Sequence, residues 1–109
     1  MKISEFTKDN LYQFLNNSNK IGILENLVIN QIESGNERLL ILTDLDNNIA
    51  AYAGFIVRHN GKIWQSKNAS SYEPYKGKYL VAKLYKFVKE KLKISIQSDI
   101  NQSLMGVAR

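Results

Sequence analysis

Tyr72-Glu73-Pro74-Tyr75-Lys76-Gly77-Lys78-Tyr79-Leu80-Val81-Ala82-Lys83-Leu84-Tyr85-Lys86-Phe87-Val88-Lys89-Glu90-Lys91-Leu92-Lys93 is the stretch on which the reading of this chain turns. It opens as a loop: Pro74 lacks a backbone donor and biases Glu73 away from helical angles. Gly77 permits a tight turn, and no further Gly or Pro follows before Gly106. From there the spacing predicts an amphipathic helix, with Leu80, Val81, Leu84, Val88 and Leu92 on one face and Tyr85 and Phe87 at its edges. The other face is lysine. Between residues 76 and 93 seven lysines stand against one acid, Glu90, a net +6 in a chain whose total is +5. The basic character of the protein therefore belongs to one segment.

The 109 residues, 44% hydrophobic and 23% charged, predict a single domain over 1–109 that buries one core. The sequence holds no cysteine, which excludes disulfides, thiolate metal sites and a cysteine nucleophile, and one histidine, His59, which cannot build a multi-histidine metal site. No metal is expected. No apolar run approaches the ~20 residues of a membrane span, and Met1-Lys2-Ile3-Ser4-Glu5 lacks the apolar core of a signal peptide. A cytoplasmic protein with no membrane partner is the expectation. Abundant Asn, Lys and Ile point to an AT-rich coding source such as a bacteriophage or an AT-rich bacterium; a phage product would act in the host cytoplasm.

Upstream, Thr7 to Asn16 predicts a short helix capped by Thr7 or Ser4, with Asp9 in its first turn and Leu11, Phe14 and Leu15 as its apolar stripe. Ile21 to Ile32 is ambiguous in period and is read as a helix passing into a strand. Ser34-Gly35-Asn36 is a turn, after which Arg38 to Asp44 predicts a strand. Asp46-Asn47-Asn48 makes a hairpin turn, and Ile49 to Arg58 a second strand with Ala51, Ala53, Phe55 and Val57 on one side. Asn60-Gly61 signals another hairpin, and Lys62 to about Ser70 continues as a strand through Ile63 and Trp64. Beyond the lysine helix, Ile94-Ser95-Ile96 reads as a short strand with two inward isoleucines, and Gln102 to Arg109 as the start of a last helix. The fold class is α+β: an N-terminal helix, an antiparallel meander, a central helix after a glycine loop, then a short strand and a terminal helix.

A strand, a glycine loop and a helix N-terminus in succession form an anion-binding geometry, because free amides and the helix dipole both favour negative charge there. Lys76 and Lys78 add formal charge at that end. The block Tyr75 to Tyr85, following a three-strand meander and an N-terminal helix, resembles the cofactor loop and central helix of the GNAT superfamily of N-acetyltransferases. Ile96 to Ser103 resembles small phage-encoded members of that group, and the likeness covers roughly residues 38–109. It implies a GNAT-like fold and, where the loop is intact, acetyl-CoA held through its pyrophosphate by an Arg/Gln-x-x-Gly-x-Gly/Ala loop. Laid on that pattern, Gly77 matches the first glycine, Pro74 replaces Arg/Gln, and Tyr79 replaces the second glycine. The family's later strands, which complete the acceptor side and often carry a tyrosine acid, have no counterpart by position before Arg109. The likeness is thus to an eroded, C-terminally shortened cofactor core.

Three functions compete. The first is a catalytically inert GNAT-like scaffold that binds a protein partner, such as a host enzyme or defence component, through Tyr72, Tyr75, Tyr79, Lys83 and Lys86. No cofactor is expected on this reading and no catalytic residue is assigned. The second is an acetyl-CoA-dependent N-acetyltransferase, with Lys76, Gly77, Lys78 and Tyr79 at the cofactor. The third is non-specific nucleic-acid binding by the lysine helix, with stacking by Tyr75, Tyr79 or Trp64. His59 is expected on an exposed turn, Trp64 in the core, and Asp99 or Asn101 as a cap, with an active-site role for Asp99 the alternative. An open sheet edge in a shortened fold would be closed by a second copy, giving a homodimer.

Overall fold

The computed structural model describes residues 10–72, 75 and 79–97. The architecture is α+β. Helix α1 (Leu11–Leu15) precedes strands β1 (Asn19–Leu24), β2 (Leu27–Ser34), β3 (Glu37–Thr43), β4 (Ile49–Arg58) and β5 (Ile63–Ser71), which are followed by helix α2 (Leu80–Glu90) and strand β6 (Ser95–Gln97). All six strands lie in one sheet in sequence order. The first five pair antiparallel as a meander, whereas β6 pairs parallel to β5, with Trp64 opposite Ile96. Parallel neighbours need a long crossover, and α2 is that crossover.

Local chemistry sets the turns. Gly35 (φ +60) and Gly61 (φ +89) occupy left-handed positions that glycine takes without a Cβ clash. At the β3–β4 turn the Asp44 carboxylate accepts the N–H groups of Asp46 and Asn48, each at 2.9 Å, closing the turn in the manner typical of Asp and Asn. Asn60-Gly61 lies in a short 3-10 turn, His59–Gly61, rather than a two-residue hairpin loop.

Ile21 to Ile32 is a β-hairpin throughout, not a helix passing into a strand. Its turn, Glu25-Asn26, contains neither Gly nor Pro, and Glu25 takes a left-handed φ of 57°. The register of β1 also shifts between Lys20 and Gly22. Ile21 and Leu24 consequently both pack against the main core, imitating the i, i+3 spacing of a helix face. Helix α1, Leu11–Leu15, falls within the helix expected over Thr7 to Asn16. The proposed caps Ser4 and Thr7, Asp9, and the terminal helix over 102–109 lie outside the described residues.

The core has two sides. On one, Leu80, Leu84 and Val88 of α2 pack over Ala51, Ala53 and Phe55 of β4, Leu40 and Leu42 of β3, and Trp64. On the other, Phe14 of α1 covers Leu39, Ile41 and Ile32. The Leu-Leu-Ile-Leu run of β3 is fully buried because both of its faces are covered. Alanines on β4 let the helix approach, and Gly22 does the same at the β1 edge, where a Cβ would stand 2.9 Å from the ring of Phe87. The hydroxyls of Ser66 and Tyr85 hydrogen-bond at 2.7 Å, tying β5 to α2. None of the described helices is long and apolar enough to cross a membrane.

Leu84 is fully buried, so Leu84→Ala should lower stability by ~2–5 kcal/mol, measured by urea denaturation. A change below ~1 kcal/mol would contradict this packing, since surface substitutions typically fall within ~0.5 kcal/mol.

Candidate functional site

The β1–β2 turn, the β3–β4 turn, Tyr75 and Leu80 at the start of α2 meet at one end of the sheet. They enclose a cavity of about 430 Å³ whose lining includes Glu25, Asp44, Asp46, Leu27, Leu80 and Tyr75. Its charged lining is all carboxylate, among the described residues. Leu45, at the tip of the β3–β4 turn, is 87% exposed, and Tyr79, at the start of α2, is 78% exposed.

Each side chain has a local cause for its position. Hydrogen bonds from the Asn48 backbone first, and from the Asn48 side chain, the Asp46 backbone and Tyr75 as well, hold the Asp44 carboxyl below its ordinary pKa. The Tyr75 hydroxyl donates to Asp44 at 3.3 Å, and desolvation together with the Asp44 charge pushes its own pKa up. Tyr79 has φ 58° and ψ 34°, the left-handed conformation, at the N-cap of α2. That conformation costs an L-residue roughly 1–2 kcal/mol relative to right-handed angles and is one that glycine adopts freely. The Lys83 ammonium, one turn into α2, donates to Glu25, while Lys86 lies 4.0 Å from Glu90.

The proposed site residues are only partly brought together. Tyr75, Tyr79 and Lys83 lie on this end of the α2 side. Tyr72 belongs to the opposite face of the sheet, where its ring meets Tyr52 at 6.0 Å within the Phe14 cluster. Tyr72 therefore does not join Tyr75 and Tyr79 in one surface, because its position at the end of β5 directs it away from α2. Burial, reinforced by Tyr52, pushes the Tyr72 pKa up to about 12. Lys86 lines a separate groove with Phe87 and Leu24. Lys76, Gly77, Lys78, Pro74, Asp99 and Asn101 lie outside the described residues. His59 is exposed on its turn, and Trp64 is buried against Phe55 with ring centroids 5.3 Å apart.

Sequence reasoning did not single out Glu25, Asp44 and Leu45. The signal available was Asp44 four residues before Asn48, the spacing of a side-chain-closed turn. Among the described residues no group of three or more His, Asp or Glu is placed to hold a metal ion. No family model, no curated protein and no solved structure matches the chain.

Asp44 and Tyr72 predict opposite pH effects. Asp44 titrates below its ordinary 3.8 in the folded protein, so its contribution is present above that value and lost as pH falls through the lower folded pKa. Tyr72 favours its neutral form, so its contribution is complete below 10 and is lost as pH rises through about 12. NMR titration of the Asp44 carboxyl should give a midpoint under 3.8, and Tyr72→Phe should remove the highest-pH step from the ultraviolet tyrosine titration. An Asp44 midpoint above 3.8 would contradict the turn geometry.

Proposed function

We propose that this chain is a GNAT-like scaffold that binds a protein partner and does not use acetyl-CoA. Two features support the GNAT-like assignment. An antiparallel meander runs into a strand, a helix and a parallel strand, β5–α2–β6, which is the order of elements that the resemblance implies. Tyr79, laid on the second glycine of the family loop, has φ 58°, a backbone geometry that suits glycine.

The observation that carries the non-enzymatic reading is the carboxylate lining at the start of α2. A pyrophosphate at this helix end would share its surroundings with Glu25, Asp44 and Asp46, and like charges repel. Lys83, the described cation of the first turn, is engaged by Glu25. The exposed side chains Leu45 and Tyr79, with Tyr75 and the Lys83–Glu25 pair beside them, form the surface offered to a partner. A tyrosine that presents both ring and hydroxyl is well suited to such contact. The Asn-, Lys- and Ile-rich composition supports a phage-encoded protein whose partner is a host protein.

Calorimetry with acetyl-CoA should therefore detect no binding at micromolar ligand. A loop that forfeits two charge-assisted hydrogen bonds of ~1.5–3 kcal/mol each loses roughly two to four powers of ten in affinity. Tyr79→Gly combined with Asp46→Asn should recover more binding than Tyr79→Gly alone, since it removes both the side chain and one repelling charge. Micromolar binding by the unaltered protein would restore the acetyltransferase reading.

A further inference from the structure

Among the described residues the sheet has two edge strands, and they are finished differently. Strand β1 carries Lys20 and a register shift at Ile21, both of which discourage a further strand from pairing. Strand β6 has no irregularity in its register and no charged residue within Ser95–Gln97. The Ser95 N–H donates to the Lys62 carbonyl at 3.3 Å, so residue 95 faces β5. Successive residues of a strand direct their amides to alternate sides, which turns the N–H and C=O of Ile96 toward the open edge.

Beside that edge is a cavity of about 500 Å³ lined by Lys89, Lys93, Ile94, Ser95 and Ile96. Ile94 and Ile96 are half-buried against the α2 core and give it an apolar floor. Neither Lys89 nor Lys93 forms an ion pair among the described residues, and Glu90, the acid of α2, is directed to Lys86. Lys62 is held close by its carbonyl's bond to Ser95. An outward-facing backbone pair, an apolar floor and a lysine rim thus occur together on one edge.

We propose that the β6 edge is a docking surface for an extended acidic segment of a partner protein. The segment pairs with Ile96 through its backbone and sets carboxylates against Lys89 and Lys93, the strand-addition mode of recognition. This surface uses none of Leu45, Tyr75, Tyr79 or Lys83, so it stands or falls separately from the reading above.

The test uses the full chain and a short fluorescent peptide alternating Glu and Val, with a Lys–Val peptide as control. Anisotropy should show binding of the acidic peptide only, weakening between low and physiological salt. The Lys89→Glu/Lys93→Glu variant should bind it about tenfold or more weakly, because the rim then repels it. Ile96→Pro removes an N–H that β5 does not use, and should abolish binding while circular dichroism remains unchanged. Should that variant unfold, amide exchange in the unaltered protein decides: the Ile96 N–H should exchange fast alone and slowly with peptide. Protection of Ile96 before peptide is added would mean that the edge is already covered, by a second copy or by the chain itself, and would overturn the proposal. So would equal binding by the charge-reversed variant, or full displacement of the peptide by duplex DNA of matched charge, which would make the patch a general polyanion surface.

Discussion

The contact between α2 and β4 positions everything else. Leu80, Leu84 and Val88 rest on Ala51, Ala53 and Phe55, and this apolar layer is dry on both sides. A helix of eleven residues would be marginal on its own. Its stability comes from burying that stripe, and the stripe's position fixes both ends of the helix. At one end it places Tyr79 and Lys83 beside the β1–β2 and β3–β4 turns. At the other it delivers the chain to β6, parallel to β5.

The same helix explains the distribution of charge. Glu25, Asp44 and Asp46 surround its N-terminal end, and Lys89, Lys91 and Lys93 gather at its C-terminal end. Both groups complement the helix dipole, which favours negative charge at the start and positive charge at the finish. Among the described residues, the charged groups lining the cavity at the start of α2 are carboxylates. At the far end the lysines are in excess, which leaves positive charge beside the β6 edge. The two proposals above rest on the two ends of this one electrostatic pattern.

Much of this was legible in the residues. The 3.6-residue spacing of Leu80, Leu84 and Val88 marked the buried face of α2, and the alternation Ala51, Ala53, Phe55 marked the inner face of β4. The α2 signal is strong because the helix buries one face and exposes its lysines, whereas β4 is buried on both faces, at Ala50 and Gly54 as well as at Ala51 and Ala53. The β1–β2 hairpin was not legible, since Glu25-Asn26 contains neither Gly nor Pro and the irregularity at Ile21 disguises the period. Nor could the sequence say that Tyr72 would part from Tyr75. Two residues separate them, yet one follows β5 into the Phe14 cluster and the other packs against the α2 core. The carboxylate cavity was hidden because its acids come from turns distant in sequence, joined only when the meander folds.

The central claim is that the start of α2 presents a contact surface and not a pyrophosphate site. It is tested most directly by following the backbone amide resonances of Leu80, Val81 and Ala82 while coenzyme A is added to the folded protein. The account predicts that these amides do not move with ligand, because the carboxylates beside them and the Tyr79 side chain keep a pyrophosphate away. Saturable shifts confined to those three amides, at micromolar coenzyme A, would contradict it.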